Sequence, residues 1–107
     1  MRIIVPFTPG SASDLIARRL GSKMSENWSE QVVVDNRAGA GGVLGMGIVA
    51  AAAPNGYTLL VHSLAFAVSA ALFSKLPFDP FKDFSPVSQI MAAPSVVVAA
   101  PALGVKS

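Results

Sequence analysis

The amino-acid sequence predicts an α/β fold with a mainly parallel sheet and helices on both faces. Three short apolar segments, at residues 2–7, 31–35 and 57–62, are each followed by a segment with helical character. This alternation is typical of parallel strands, because each parallel connection needs a crossover, usually a helix. Glycine-rich turns stand at the first two strand-to-helix junctions. Ligands of such sheets bind beyond the carboxyl ends of the strands, and both turns belong to that edge.

The first strand and helix are predicted from the opening residues. Residues 2–7 indicate a short buried strand, in which Pro6 marks either a sheet edge or the point where pairing stops. Ser11 and Asp14 have the spacing of a capping box at the start of a helix. Apolar residues then recur at every fourth position and predict one amphipathic helix that ends near residue 27: Ile16, Leu20, Met24 and Trp28.

The second strand and helix are predicted from residues 31–53. The β-branched run at residues 31–35 predicts a fully buried strand. Residues 42–53 predict a helix of mostly small side chains, which allow the helix to approach a sheet closely. A Pro-Asn-Gly turn at residues 54–56 ends this helix.

The rest of the chain predicts a third unit, a loop and two more strands. Residues 57–62 predict the third strand, and Ser63 caps a helix that extends through residue 73. Residues 75–84 predict an irregular loop, because Pro77 and Pro80 block regular pairing, and three aromatic side chains are expected to anchor it: Phe78, Phe81 and Phe84. Residues 85–92 and 96–100 predict two further apolar strands.

Composition excludes several classes of function. The eight Lys and Arg residues are scattered, so we expect no nucleic-acid binding. The absence of cysteine excludes disulfides, thiol catalysis and cysteine-ligated zinc. The apolar run at residues 59–73 is interrupted by His62 and Ser63 and is shorter than the ~20 residues of a membrane span. With 52% hydrophobic and 13% charged residues, part of the apolar surface is expected to contact another surface, which allows self-association.

The two glycine-rich turns indicate an anion-binding site. Backbone amides at a helix N-terminus point the same way and add to the helix dipole, so two such turns side by side favour a carboxylate or a phosphate. Ser11 and Ser13 are either helix caps or ligand contacts, and Asp14 is a capping acid. The dinucleotide-binding pattern fits poorly, because Gly45 is one residue too far along and no acid follows the third strand.

Several short motifs, taken in order, resemble one known family. They are RIIVPF at residues 2–7, PG with Asp14, VVDNR at residues 33–37, GAGG at residues 39–42, PNGYTLL at residues 54–60, and LPFDP followed by KDF and PV at residues 76–87. Together they resemble the Bug-type receptors, the extracytoplasmic substrate-binding proteins of tripartite tricarboxylate transporters. Two positions depart from the usual pattern of that family: Ser11 replaces a second glycine, and Ala38 replaces a proline.

The resemblance implies the opening part of a periplasmic two-lobed receptor that closes like a Venus flytrap around a small carboxylate-bearing solute. Residues 1–93 would form the first part of lobe 1, a three-layer sandwich left incomplete here, and residues 94–107 a crossover toward a second lobe. Membrane components of the transporter would be partners, and neither a metal nor an organic cofactor is expected. No signal peptide is recognisable, since Met1 and Arg2 lead directly into the first strand.

The resemblance also implies which residues hold the solute, largely through main-chain amides. They lie in what we call the first loop (residues 7–13), the glycine turn (residues 39–42) and the third loop (residues 62–64). The first loop contributes Phe7, Thr8, Pro9, Gly10, Ser11, Ala12 and Ser13, the glycine turn Gly39, Ala40, Gly41 and Gly42, and the third loop His62, Ser63 and Leu64.

Alternatives remain open at this point. Arg37 is either a loop-anchoring residue or a partner of the solute carboxylate. His62 has no neighbouring Cys, Asp or second His, which favours a hydrogen-bonded structural role over a metal ligand. The rival hypothesis is a small nucleotide- or phosphate-binding α/β enzyme in which His62 acts as a base. A third possibility is a chain without activity of its own that associates through apolar surface.

Overall fold

Three parallel strands alternate with three helices in the part of the chain that the structure describes. The structure is a computed structural model that describes residues 1–73, 75–94, 96, 98, 100 and 104. Along the chain the elements are β1 (Arg2–Val5), α1 (Ala12–Trp28), β2 (Val33–Asn36), α2 (Val43–Ala50), β3 (Thr58–Leu60) and α3 (Ala65–Leu72), and a 3-10 turn (Ala40–Gly42) leads into α2. The strands lie in the order β2-β1-β3, and both pairings are parallel. The predicted α/β class is therefore confirmed.

Strand β1 is the central strand of the sheet. Its residues Ile3, Ile4 and Val5 have no exposed surface, as expected for a strand paired on both sides and covered on both faces. Pairing stops after Val5, so the proline that follows marks the end of the strand and not a sheet edge. The prediction that the second strand is fully buried is wrong. It lies beside β1 at one side of the sheet, and its first residue, Val33, is 48% exposed.

Helices α1 and α2 cover opposite faces of the sheet. Ile3 and Val5 form a core cluster with Ala17 of α1 and Val61. Successive residues of a strand point to opposite faces, so Pro6 belongs to the other face. On that face a Cβ at Gly45 of α2 would lie 2.6 Å from the Pro6 Cβ, and this closeness requires a glycine. The prediction of helices on both faces is confirmed by this pair.

The buried stripe of α1 differs from the predicted one. Its buried residues are Asp14, Ala17 and Gly21, and Met24 packs against the core, whereas Trp28 is 54% exposed. The small residues decide the orientation, because a Cβ at Gly21 would already lie 3.4 Å from Val32 and 3.5 Å from Val34. Large side chains in the predicted stripe would hold the helix too far from the sheet.

The helix termini follow the sequence with small shifts. Ser11 is the N-cap of α1, and its Oγ accepts the amide N–H of Asp14 at 3.3 Å, as the capping-box spacing predicts. Helix α2 ends at Ala50 instead of residue 53. The N-cap position of α3 is Leu64, although Ser63 Oγ accepts the amide of Ala65 at 3.3 Å. The predicted cap is therefore one residue too early.

The segment after α3 is anchored by aromatic rings. Phe84 packs edge-on against both Phe66 and Phe78, with ring centroids 5.3 Å and 5.7 Å away. Phe81 is 84% exposed, so its predicted anchoring role is wrong. No strand forms at residues 85–92, since an apolar run becomes a strand only where another strand accepts its hydrogen bonds. The predicted strand at residues 96–100 lies partly outside the described residues, and the division at residue 94 stays a prediction.

Within the described part of the chain, every helix is too short or too polar to cross a lipid bilayer.

Candidate functional site

The first loop, the glycine turn and the third loop all follow the carboxyl ends of the parallel strands. The chain leaves β1 for a helix on one face and reaches β3 from α2 on the other face. Such a change of direction opens a crevice between the loops that follow the two neighbouring strands. The sheet order therefore places the first and third loops on either side of this crevice.

The first loop uses some of its amides internally and leaves others free. Gly10 donates its N–H to Asp14 Oδ2 at 2.9 Å, and Ser11 donates to the carbonyl of Thr8 at 3.2 Å. The amides of Ala12 and Ser13, in the first turn of α1, meet no acceptor in the described residues. These two N–H groups lie at the positive end of a 17-residue helix and can donate hydrogen bonds to an anion.

The glycine turn has a backbone that side chains rarely allow. Its φ angles are +151° at Gly39, +47° at Ala40, +65° at Gly41 and +101° at Gly42. The N–H of Gly42 donates to the Gly39 carbonyl at 2.9 Å, and the Gly41 carbonyl accepts the hydroxyl of Ser69 at 3.1 Å. The amides of Gly39, Ala40 and Gly41 have no acceptor among the residues that the structure places. The turn thus offers a second group of free donors.

His62 joins the three loops through ring contacts. Its imidazole packs edge-on against Phe7, at 5.1 Å between centroids, and against Phe66 at 5.6 Å. A Cβ at Gly42 would lie 2.6 Å from His62 Nε2, so only a glycine fits against this ring. The structure therefore brings Phe7, Gly42 and His62 together, as the sequence prediction requires of residues in one site.

The protonation of His62 follows from its surroundings. Its Nδ1 lies 2.9 Å from the amide nitrogen of Ser63 and 3.2 Å from the carbonyl oxygen of Ser63, so it accepts from the amide in one neutral tautomer and donates to the carbonyl in the other. Nε2 is buried and has no hydrogen-bond partner in the described part of the chain. Burial lowers the pKa of His62, and a backbone hydrogen bond at Ser63 opposes this effect. The lowered pKa keeps the ring uncharged at neutral pH.

Asp14 is a buried carboxylate surrounded by donors. It is 2% exposed, and Arg18 Nε, the Gly10 amide and Asn36 Nδ2 donate to it at 3.0, 2.9 and 2.9 Å. The hydrogen bond from Arg18, followed by those from Gly10 and Asn36, lowers the pKa of Asp14 to about 2. The carboxylate is therefore ionised at neutral pH, and the guanidinium of Arg18 balances its charge.

The guanidinium of Arg37 is held by an ion pair with Asp35. Its Nε lies 3.0 Å from Asp35 Oδ1, and Asp35 also pairs with Arg2. Hydrogen bonds from Arg2 and then from Arg37 lower the pKa of Asp35. Of the two interpretations of Arg37, the structure supports the loop-anchoring one.

The remaining predicted residues lie where the loops reach solvent. Thr8, Pro9, Ala40 and Gly41 are exposed, and Leu64 is 70% exposed. In the described residues no group of three or more His, Cys, Asp or Glu side chains could hold a metal ion. The free hydrogen-bond donors at this edge are main-chain amides.

Two further residues, which the sequence did not predict as part of the site, shape it. Asn36 ends β2 and donates to the Phe7 carbonyl at 3.1 Å as well as to Asp14. Arg18 reaches both Asp14 and Asn36. The spacing of Asp14 and Arg18, four residues apart on one helix, is a signal for an ion pair that could have found the second residue. Asn36 has no comparable local signal.

Comparison with known proteins decides the family. Residues 16–107 match the model of the TctC family, described as a tripartite tricarboxylate transporter family receptor. The chain belongs to the TctC family. Protein BugT of Bordetella pertussis is 40% identical over 109 residues, which is 100% of this chain and 33% of BugT. This chain therefore spans about a third of the length of this relative.

Solved structures share the same partial lobe. The periplasmic binding protein BugD is 36% identical with a TM-score of 0.75, and the match covers 80% of this chain and 29% of BugD. MatC from Rhodopseudomonas palustris, solved with bound malate, is 40% identical with a TM-score of 0.74, and the match covers 81% of this chain and 30% of MatC. The predicted fold, part of a lobe of a periplasmic-binding-protein-like protein, is confirmed. The TctC family is one of receptors and not of enzymes.

Proposed function

We propose that this TctC chain forms the part of a periplasmic receptor that holds one carboxylate of a small carboxylate solute. The amides of Ala12 and Ser13 in the first loop and of Gly39, Ala40 and Gly41 in the glycine turn would donate to the carboxylate oxygens. The observation that carries the proposal is that these five amides follow the carboxyl ends of parallel strands and lack an acceptor within the described residues. Two helix N-termini add their positive ends to the same edge.

The likeness to MatC supports a carboxylate as the ligand. MatC was solved with malate, which is a small dicarboxylate. In the proposed receptor a second lobe closes over the rest of the solute and supplies most of the selectivity, while membrane components of a tripartite transporter receive the solute. Preorganised amides suit this task, because they bind a carboxylate without first giving up a hydrogen bond inside the protein.

The test replaces a glycine whose amide is proposed to bind. In Gly41→Val, a β-branched side chain at φ +65° distorts the turn. We expect the affinity of the chain for malate, measured by titration and followed by amide NMR signals, to fall about tenfold, the loss of one charge-assisted hydrogen bond.

The matched control is Gly47→Ala, one turn into α2. A Cβ there meets Phe78 at an ordinary 3.7 Å and leaves the turn unchanged. Equal malate affinities for Gly41→Val, Gly47→Ala and the parent chain would contradict the proposed site.

A further inference from the structure

Asn36 is the last residue of β2 and reaches the start of the first loop and the residue that follows its end. Its Nδ2 donates to the Phe7 carbonyl at 3.1 Å and to Asp14 Oδ1 at 2.9 Å. Its Oδ1 accepts a hydrogen bond from Arg18 Nη2 at 3.0 Å. One side chain thus connects a strand of the sheet, the first loop and helix α1.

Only an amide satisfies all three of these contacts. The Phe7 carbonyl and the Asp14 carboxylate are acceptors, so the side chain must present two donors to them. The guanidinium of Arg18 is a donor, so the same side chain must present an acceptor on its other side. An aspartate has the same shape as Asn36 but would direct an oxygen at both acceptors, and a leucine would satisfy none of the contacts.

The polar cluster of Asn36, Asp14 and Arg18 also holds the middle of the first loop. Asp14 Oδ2 accepts the N–H of Gly10, and Gly10 has φ +84°, a conformation that glycine adopts readily. The loop is therefore fixed at Phe7, at Gly10 and at Asp14. The free amides of Ala12 and Ser13 lie between the last two of these points.

The polar cluster also neutralises a charge that would repel an anion. A carboxylate one residue beyond the free amides would repel an incoming anion. Arg18 Nε lies 3.0 Å from Asp14 Oδ2, so the pair carries no net charge, and Asn36 keeps the arginine in place from its other side. The first loop is then neutral apart from its helix dipole and free N–H groups.

We propose that Asn36 is a positioning residue, which holds the first loop in its anion-accepting conformation through Phe7 and Asp14 and keeps Arg18 paired with Asp14. That the bound anion is a carboxylate of the solute rests on the proposed function. The conformation of the first loop is independent of that proposal, because hydrogen bonds within the chain fix it.

The first experiment compares Asn36→Asp with Asn27→Asp in the absence of solute. Both changes convert an amide to a carboxylate, but Asn27 is exposed on α1. We expect the hydrogen exchange of the Gly10 amide to become about tenfold faster in Asn36→Asp, as when one hydrogen bond to a charged group is lost. Carbon-13 NMR should show that the pKa of Asp14 rises above its value of about 2, because a second carboxylate replaces a donor. Neither quantity should change in Asn27→Asp.

The second experiment adds malate to the same variants. Asn36→Asp should bind malate about tenfold more weakly per folded molecule, whereas Asn27→Asp should bind as the parent does. Asn36→Ser, which carries no charge, is the second variant if Asn36→Asp does not fold, and the same loss of Gly10 protection is expected.

The outcomes separate the two proposals. Unchanged Gly10 exchange and an unchanged Asp14 pKa in the Asn36 variants would overturn the positioning role. A lower melting temperature with unchanged malate affinity per folded molecule would also overturn it, because it would reveal a purely structural residue. If malate does not change the amide NMR signals of the parent chain, the proposed function is overturned. The solute-free measurements would still decide the role of Asn36.

Discussion

At the scale of single residues, the first loop depends on a charge buried at Asp14. Its carboxylate would be costly to bury alone, and three donors compensate for the loss of water. Because the donors come from the loop, from α1 and from β2, the ionised form of Asp14 stabilises the folded state in particular. The stability of the chain must therefore depend on pH through this residue.

The sign of this dependence follows from the pKa shift. The pKa of Asp14 is about 2 in the folded chain and 3.8 without the fold. Its contribution to the free energy of unfolding is complete above the unfolded value and is lost as the pH falls from there toward the folded value. We expect Asp14→Asn to lose less stability than the parent between about pH 5 and about pH 2, measured by thermal unfolding. The control Glu30→Gln changes an exposed carboxylate, and an equal acid response of both variants would contradict the prediction.

Gly42 tests the contact between the glycine turn and His62. An alanine there would place its Cβ 2.6 Å from His62 Nε2, and the ring cannot retreat easily because Phe7 and Phe66 flank it. We expect Gly42→Ala to destabilise the chain by about 1–3 kcal/mol more than Gly56→Ala in urea unfolding. Gly56 shares the positive φ, at +82°, but a Cβ there meets nothing within 4 Å. Equal losses would mean that backbone strain alone, and not the ring contact, requires the glycine.

Residue-level prediction from sequence succeeded where the interaction is local. Ser11 caps α1 three residues before Asp14, and such a contact is visible in the spacing alone. The Asn36 contacts to Phe7 and Asp14 span 29 and 22 residues of sequence. They exist only once β2 lies beside β1, so no local pattern could have revealed them.

At the scale of elements, helix α3 supports the glycine turn. Ser69 is 4% exposed, and its hydroxyl donates to the Gly41 carbonyl at 3.1 Å. This bond orients the peptide that follows Gly41 and, in the proposed site, keeps the amides of the turn directed outward.

Removal of this hydroxyl should weaken the turn. We expect Ser69→Ala to lower the free energy of unfolding by about 1 kcal/mol and to weaken malate binding. The control Ser22→Ala makes the same change at an exposed position of α1, so that the effect of alanine on helix propensity is matched. A Ser69→Ala chain that behaves like Ser22→Ala in both measurements would show that the bond does not hold the turn.

Sequence patterns gave the type of each element better than its surroundings. The first three predicted strands and the three predicted helices occur in the predicted order, because apolar runs and glycine turns reflect local preferences, whereas the strand predicted at residues 85–92 does not form. The prediction that β2 is fully buried was wrong because the strand order, set by long-range pairing, makes β1 the central strand. The buried stripe of α1 was wrong because closeness to the sheet selects small residues such as Ala17 and Gly21.

At the scale of the whole molecule, the apolar surface of the chain is large. Leu64 at the N-cap of α3 and Val68 and Leu72 within it lie four residues apart and are 70%, 44% and 75% exposed. A stripe of this kind is typical of a helix that packs against another surface. Self-association is a prediction from the sequence composition, and we expect it to occur through this stripe.

Sedimentation velocity at several concentrations tests this prediction. We expect the sedimentation coefficient of the chain to rise with concentration and expect Leu72→Lys to reduce the rise. Leu15→Lys, at a 58% exposed position of α1, is the control and should leave the association in place. Association that is unaffected by Leu72→Lys would place the contact elsewhere, and a concentration-independent coefficient for the parent would exclude self-association.

The most direct measurement is a crystal structure of this chain grown with malate. We expect one malate carboxylate beyond the carboxyl ends of β1 and β2, with its oxygens about 3 Å from the amide nitrogens of Ala12 or Ser13 and of the glycine turn. Malate bound at another surface, with these amides still facing only water, would contradict the claim that main-chain N–H groups at this edge hold the solute.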